Sequence, residues 1–339
     1  MMIEKRLPTN DDTANPVPTL SVRDLSVQYQ VKGQGFWSPR KAVTAVENIS
    51  FDVMPGETLG LVGESGSGKT TVGRAILRRV EAATGRILFK GADITNMRGE
   101  PLRRLRAGMQ VVLQDPYASL NPRMRVLDIV AEPLLVHGMA GSLGEARDQV
   151  MELLEMVGLP RDAYRRYPHS FSGGQRQRVG IARALALRPD LIVADEPVSA
   201  LDVSVRAQVV NLMQDLQKQL GLSYLFIAHD LSIVRHISHR VAILYAGHMM
   251  ELADRDSIYS RPRHPYTEAL LSAVPIANPA LQRQRKRIVY QGEVPDISAP
   301  PVGCRFQTRC PLVSDRCRKE VPPLAEKAPG HFSACWNRD

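Results

Sequence analysis

Hydrophobic residues occur in short blocks along most of the chain, separated by segments of mixed polarity. Two stretches rich in apolar and β-branched residues, 20–31 and 42–53, flank a turn-rich connection, which indicates a hairpin. Residues 58–62 form a short apolar block of the kind that is buried in a parallel sheet. Further strands are predicted at 86–90, 110–113, 191–194, 223–227 and 240–244. Helical patterns separate these strands, so the sequence predicts an α/β fold around a mainly parallel sheet.

Residues 116–170 interrupt this alternation. Val126–Val136 and Ala146–Val157 both show helical periodicity, and a loop at 137–144 joins them. The pattern predicts a mostly helical subdomain, at about 116–185, inserted between two strands.

The two ends of the chain differ in composition from the middle. Residues 1–18 are polar and carry Pro16 and Pro18, which predicts a disordered tail. Nine of the 24 prolines lie in residues 275–339, too many for long helices, so this segment is predicted to be a loop-rich appendage. We therefore expect a tail at 1–18, a main domain at 19–275 and a C-terminal region at 276–339.

Composition places the chain among ordinary globular proteins. It has 339 residues, of which 44% are hydrophobic and 23% charged, enough for one large core with appendages or for two modest domains. No window approaches the ~18 consecutive apolar residues that a membrane span needs, and the N-terminus has no apolar signal core. We expect a cytosolic or peripheral protein. Any transport function would therefore need a pore formed by other subunits.

The formal net charge of +9 raises the question of an anionic partner. Arginines are scattered, and the tightest cluster is Arg283, Arg285, Lys286 and Arg287. No aromatic residues alternate with basic ones as on a nucleic-acid platform. The pattern favours a solvated surface near a negative bilayer and no nucleic-acid partner.

A glycine-rich segment follows the apolar block at 58–62 and precedes a helical pattern. It matches G-x-x-x-x-G-K-[ST], in which backbone N–H groups surround phosphate, the lysine adds a positive charge and the hydroxyl can bind Mg²⁺. The alternative, a glycine-rich turn with an accidental lysine, does not account for its place between a strand and a helix. The candidate nucleotide-binding residues here are Gly63, Glu64, Ser65, Gly66, Ser67, Gly68, Lys69, Thr70 and Thr71.

Two acidic residues end the predicted strand at 191–194. Asp195 is expected to hold Mg²⁺ together with Thr70, and Glu196 is expected to act as the general base on an attacking water. Adjacent acids at a strand end can instead cap the next helix. The phosphate-binding segment favours the catalytic interpretation, because both lie at the carboxyl edge of one sheet.

A second anion-binding helix start is predicted at the sequence Phe171-Ser172-Gly173-Gly174-Gln175. Exposed N–H groups of Ser172, Gly173, Gly174 and Gln175 at the start of a long helix can bind phosphate. Taken alone, Ser-Gly-Gly is a routine helix cap. Two phosphate-binding helix starts in one chain are most simply used to enclose one nucleotide between two chains.

With these motifs the sequence resembles the ATP-binding cassette (ABC) family over roughly residues 20–275. The resemblance implies a P-loop ATPase core with an antiparallel β subdomain, a mostly parallel sheet and a helical subdomain. It implies that Tyr29 stacks on adenine, that Gln114 contacts Mg²⁺ and senses the γ-phosphate, and that Asp202 lies in a loop at the dimer interface. It also implies that His229 contacts the γ-phosphate; by themselves, Gln114 and His229 would be an ordinary surface amide and strand-end histidine.

Three segments resemble the ATPases of oligopeptide and dipeptide importers, namely Gln114–Arg123, Glu196–Gln208 and Arg263–Thr267 with the cysteine-bearing tail. The resemblance implies two membrane permease subunits, a second ATPase that is more often a homologue than an identical chain, and an extracytoplasmic binding protein. It implies a peripheral place on the cytoplasmic face of the inner membrane. Nickel, glutathione and other solutes stay open as substrates.

Two other function classes were weighed. An ABC ATPase acting on DNA or ribosomes usually has long coiled coils or two cassettes in one chain, and neither pattern is present here. A regulatory module with inactive sites disagrees with the intact Lys69, Asp195, Glu196 and His229.

All four cysteines lie near the end of the chain, at Cys304, Cys310, Cys317 and Cys335. Four thiolates can hold Zn²⁺ or an iron–sulfur cluster, and the close C-x₂₋₄-C pairs of structural zinc sites are absent. Free thiols are the remaining alternative. The importer resemblance implies a structural [4Fe–4S] cluster at this place.

Overall fold

The computed structural model describes residues 16–32, 40–115, 117–275, 283, 288–290, 292–293 and 295–338. Most of the predicted tail, the centre of the hairpin connection, and Arg285, Lys286 and Arg287 of the basic cluster lie outside these residues. Among the described residues, no helix has both the length and the apolar character to cross a membrane.

A four-stranded antiparallel sheet is formed mainly by the first half of the chain. Its order is β2-β1-β4-β5, and β1 pairs antiparallel with both β2 and β4. The hairpin predicted for the stretches 20–31 and 42–53 is confirmed by this pairing. The strands are β1 (Leu20–Lys32), β2 (Arg40–Val53), β4 (Thr84–Phe89) and β5 (Ala92–Asp93).

A larger mixed sheet has the order β11-β12-β10-β9-β3-β8-β7-β6. The pairs β9–β3, β3–β8, β8–β7 and β7–β6 are parallel, so the carboxyl ends of these strands open at one edge. The strands are β3 (Thr58–Val62), β6 (Met109–Val112), β7 (Leu191–Asp195), β8 (Ser223–Ala228), β9 (Arg240–Tyr245), β10 (His248–Asp254), β11 (Ala325–Ala328) and β12 (His331–Ser333).

The described helices pack on the sheets and form a separate helical layer between β6 and β7. That layer consists of α3, α4, α5 and two 3₁₀ helices, Arg161–Arg165 and Pro168–Ser170, which confirms the predicted helical insertion. The α-helices are α1 (Lys69–Ile76), α2 (Gly99–Arg106), α3 (Val126–Val136), α4 (Leu143–Met156), α5 (Gly173–Leu185), α6 (Val203–Leu220), α7 (Leu231–Ile237), α8 (Arg255–Ser260), α9 (Pro265–Ser272) and α10 (Asp315–Lys319).

The central parallel strands are buried on both faces, which explains why they are apolar throughout. In β8, Leu225 and Ile227 join a core with β1, β2 and α1, whereas Tyr224 and Phe226 join a core with the helical layer. Successive side chains of a strand point to opposite faces, so one strand serves both cores. This double burial fixes the strand ends, where the candidate site lies.

The C-terminal segment, here residues 295–338, continues the larger sheet instead of standing apart from it. Strand β12 pairs antiparallel with β10, and β11 pairs with β12. The fully buried Glu251 on β10 contacts His331 Nε2 at 2.6 Å and accepts hydrogen bonds from the backbone N–H groups of Arg263 and His264. A buried carboxylate needs such partners, so these contacts hold the segment against the rest of the fold.

Candidate nucleotide-binding site

The glycine-rich segment Gly63–Thr70, called the phosphate loop below, joins β3 to α1 and wraps around one ammonium group. Lys69 is 5% exposed, and its Nζ donates hydrogen bonds to the carbonyls of Gly63 (2.8 Å) and Glu64 (2.9 Å). Burial lowers the pKa of Lys69, and the charges of Glu196, Asp195 and Glu64 oppose that shift. The loop thus concentrates one positive charge at the start of a helix, where exposed N–H groups also favour anions.

One glycine of the loop has a conformation that a larger residue would strain. Gly68 has φ of 102° and caps α1, and a Cβ atom there would lie 2.7 Å from the carbonyl oxygen of Ala45. Glycine therefore lets β2 pass close to the loop.

A hydroxyl and a carboxylate meet beside the lysine. Thr70 Oγ1 donates a hydrogen bond of 3.1 Å to Asp195 Oδ1 at the end of β7. Burial raises the pKa of Asp195, as does the charge of Glu196, while the Thr70 hydrogen bond and the charges of Arg74 and Lys69 lower it. Oxygen ligands of this kind suit Mg²⁺, which is commonly held by one or two protein groups together with substrate phosphates. The donor set therefore fits the expected ion.

The Glu196 carboxylate lies between two side chains from other strand ends. Gln114 Nε2 donates to Glu196 Oε2 at 3.1 Å, and His229 Nδ1 lies 3.2 Å from Glu196 Oε1. Glu196 has φ of 48°, a left-handed conformation that non-glycine residues rarely adopt, and its N–H donates to the Ile227 carbonyl. The three catalytic residues predicted from the sequence are thus brought together.

The lysine, the threonine hydroxyl and the three predicted catalytic residues line one cavity of ≈ 540 Å³, a size typical of small-molecule sites. Its charged and polar lining matches a phosphorylated ligand better than an apolar one. The lining residues are Ala45, Ser65, Gly66, Gly68, Lys69, Thr70, Thr71, Gln114, Glu196 and His229.

The antiparallel sheet borders the cavity through Ala45, and Tyr29 lies nearby. The Tyr29 hydroxyl lies 3.4 Å from Thr71 Oγ1, so this predicted adenine contact is beside the cavity but does not line it. Ala45 on β2 does line it. Sequence reasoning missed Ala45 because a small apolar residue in a strand carries no chemical signal.

The residues of the second predicted phosphate site do not line this cavity. Ser172 caps α5, where its Oγ accepts a hydrogen bond from Gln175 N and its N–H donates to Gln175 Oε1. Ser172 and Gln175 are exposed, Gly173 is half-buried, and Asp202 at the start of α6 is also exposed. None of the four, nor Gly174, lines the cavity of this chain.

The cysteine group, Cys304, Cys310, Cys317 and Cys335, is the place where the resemblance implied a [4Fe–4S] cluster. All four are free, and among the described residues no three His, Cys, Asp or Glu side chains are arranged to hold a metal ion. Burial raises the pKa of Cys304 to about 12 and that of Cys310 to about 11. Cys317 Sγ contacts Ser314 Oγ at 3.3 Å and Asn337 Nδ2 at 3.4 Å.

Comparison with known proteins agrees with the geometry of the cavity. Residues 46–199 match the ABC transporter family, and residues 250–317 match the family described as oligopeptide/dipeptide transporter, C-terminal region. The chain is 51% identical to the oligopeptide transport ATP-binding protein AppF of Bacillus subtilis, over 95% of this chain and 98% of AppF. It is 48% identical to OppF of Salmonella typhimurium, over 94% of this chain and 96% of OppF.

Solved structures show the same cassette. The dimeric bacterial ABC transporter cassette MJ0796 superposes with a TM-score of 0.61 at 27% identity, covering 70% of this chain and 98% of that one. A post-hydrolysis dimer of the same cassette, bound to ADP and Pi, gives a TM-score of 0.61 at 26% identity, over the same shares of the two chains. The chain therefore belongs to the ATPases of the ABC transporter family, in the branch that carries the oligopeptide/dipeptide-transporter C-terminal region.

Proposed function

We propose that this chain hydrolyses ATP in the cavity beside the phosphate loop and uses the energy to power import of oligopeptides or dipeptides. One observation carries the proposal: Glu196, Gln114 and His229 meet at the edge of the cavity that also holds Lys69. Phosphoryl transfer to water requires a base for the water, a positive charge for the phosphate and polar groups that orient the reactants, and this cavity has all three.

In the proposed mechanism, the phosphate loop and Lys69 bind the phosphates, and Tyr29 provides a face for the adenine. Thr70, Asp195 and Gln114 would hold Mg²⁺, which neutralises phosphate charge when it is bound with ATP. Glu196 takes a proton from the attacking water, while Gln114 and His229 orient its carboxylate. His229 is 57% exposed and Glu196 only 16%, so the base is shielded and the histidine faces the opening.

We propose that a second ATPase chain completes the site. Support comes from the helix start at Ser172–Gln175, where Ser172 and Gln175 are exposed and none of the four residues lines this chain's own cavity. The related cassette MJ0796 is described as dimeric. In the proposed assembly, each chain offers Ser172 and Gly173 to the nucleotide of its partner, and Asp202 lies near the shared interface.

The peptide substrate rests on the relatives AppF and OppF, which are described as oligopeptide transport proteins. In the proposed importer, this chain works with two membrane permease subunits and an extracytoplasmic binding protein. It lies peripherally on the cytoplasmic face of the inner membrane. Nickel and glutathione importers are the alternative in the same branch. The division at residues 18 and 275 and the [4Fe–4S] cluster stay predictions, and no step of the mechanism uses the cluster.

The test is complementation of peptide uptake. Cells that lack this chain should regain uptake of a labelled tripeptide with the wild-type gene and not with Glu196→Gln. Affinity-tagged chain from the same cells should carry permease subunits with it. Restored uptake of nickel or glutathione in place of peptide would replace the substrate, and recovery of ribosomes or DNA would contradict transport.

A further inference from the structure

A turn of the C-terminal segment, Cys304–Cys310, packs directly beside the phosphate loop. Its Phe306 is fully buried, and the rings of Tyr245, Tyr266 and Tyr290 lie within 5.3, 5.4 and 5.5 Å of it, centroid to centroid. Tyr245 ends β9, the strand next to β3, from which the phosphate loop starts. Tightly packed aromatic rings are rigid, so the turn has a fixed position relative to the loop.

Arg309 extends from this turn to the second residue of the phosphate loop. Its Nη1 donates to both carboxylate oxygens of Glu64, at 3.2 and 3.1 Å, and lies 3.5 Å from Tyr245 Oη. The Arg309 side chain is 18% exposed and that of Glu64 is 32% exposed. Such a pair is screened less than one on the open surface, and hydrogen bonds between charged groups are among the stronger ones.

Glu64 is held at three points, and two of them come from outside the loop. Its carboxylate accepts from Arg309, its N–H donates to Tyr266 Oη at 3.0 Å, and its carbonyl accepts from Lys69 Nζ at 2.9 Å. Arg309 and Tyr266 both lie in the region 250–317 that matches the C-terminal family. The position of the Lys69 ammonium is therefore tied, through one residue, to the C-terminal segment.

Not every ion pair between the C-terminal segment and the preceding domain involves the phosphate loop. Arg338 also joins the C-terminal segment to the preceding domain, through Glu268 on α9, with side-chain exposures of 31% and 36%. That pair has similar exposure but contacts no residue of the phosphate loop. It provides a matched control for the role of Arg309.

We propose that Arg309 is a positioning residue for nucleotide binding: by holding Glu64, it sets the shape of the phosphate loop and the place of Lys69. The ligand affected is the triphosphate of the nucleotide. The inference rests on the proposed role of the phosphate loop in binding ATP. It gives the C-terminal segment a direct part in the ATPase cycle.

The test compares ATP dissociation constants and steady-state kinetics of folded variants of the full chain. Arg309→Gln should raise the dissociation constant about tenfold and leave kcat within about twofold, because the charged hydrogen bonds act on binding and not on the base. Arg309→Lys should recover much of the affinity. Glu64→Gln should weaken binding to a similar extent, and the double variant should be no weaker than either single one.

The control Arg338→Gln should bind ATP as the wild type does. If Arg309→Gln fails to fold, as judged by its melting curve, the pair is tested from the other side with Glu64→Gln. Wild-type affinity in a folded Arg309→Gln or Glu64→Gln variant would overturn the inference. Lys69→Ala separates the two proposals: if it also binds ATP normally, the proposed phosphate site itself is wrong.

Discussion

The nucleotide cavity and the cysteine group each contain several polar or reactive side chains, but the surroundings of those side chains differ. In the cavity, Lys69, Asp195 and Glu196 each have a hydrogen-bond partner among the described residues, and opposite charges oppose the effect of burial on the pKa of Lys69 and Asp195. In the cysteine group, burial raises the pKa of Cys304 and Cys310, and the neighbouring cysteines raise it further, which favours neutral thiols in metal-free protein. Both regions lie within one continuous fold.

Clustering of functional side chains is therefore not sufficient to stabilise their charged forms. A site for an anion or metal needs partners that stabilise the charged form of its residues. Strand ends and a helix start supply those partners in the cavity. Burial favours the neutral form in both regions, but opposite charges oppose it in the cavity, whereas neighbouring cysteines add to its effect on Cys304 and Cys310.

The largest effect is expected from Glu196→Gln, which removes the base while the amide can still contact Gln114. Turnover should fall by about 10²–10⁴-fold, the usual contribution of a general base, with ATP affinity retained. Steady-state hydrolysis and equilibrium ATP binding measure the two effects. Glu81→Gln, an exposed carboxylate in a surface pair with Arg98, is the control and should be unchanged. Hydrolysis within about tenfold of the wild type would show that Glu196 is not the base.

Lys69→Ala should weaken ATP binding by about 100-fold, since a buried charge facing phosphate is lost. Lys90→Ala provides the control, because Lys90 forms an exposed pair with Asp190 and neither residue lines the cavity. Isothermal titration with ATP measures both. Equal affinities for the two variants would contradict the assignment of the phosphate loop.

Ser172→Arg places a bulky cation at the start of α5. It should block the site that forms at the phosphate loop of the partner chain and leave the phosphate loop of its own chain unaffected. Neither Ser172→Arg nor Lys69→Ala alone should hydrolyse ATP, but a mixture of the two should regain activity, because one of its two composite sites is intact. A mixture that stays inactive would place both motifs in a site within one chain.

The smallest effect on catalysis is expected from the cysteine group. Replacing all four cysteines by serine should leave ATP turnover within about twofold, because none of them lines the cavity. In metal-free protein, alkylation of Cys310 should be slow at pH 8 and rise about tenfold per pH unit toward its pKa of about 11, since only the thiolate reacts. Metal analysis of protein purified without oxygen completes the test. About four irons per chain would show that the region binds a cluster.

Much of the cavity could be predicted because its parts follow strict local patterns. The phosphate loop lies between a strand and a helix, in the order that its motif requires. Asp195 and Glu196 come at the end of an apolar strand. Parallel strands present their carboxyl ends at one edge, so these separate motifs had to meet.

Other features depend on contacts between distant residues and leave no local pattern. Strands β11 and β12 are short, and they join the sheet through pairing with β10 and the buried Glu251–His331 contact. Likewise, the Arg309–Glu64 pair connects residues 245 positions apart. The structure places the Tyr29 hydroxyl beside Thr71, and the register shifts between β1 and β2 that precede Tyr29 are not specified by periodicity.

The central claim is that this chain holds a complete set of hydrolytic groups yet needs a second chain to close over ATP. The most direct measurement is the hydrolysis rate per chain as the purified ATPase is diluted. The account predicts that the rate per chain falls on dilution as the chains separate, and that it is restored when the permease complex holds two ATPases together. A rate per chain that stays at its full value in monomers at high dilution would contradict it.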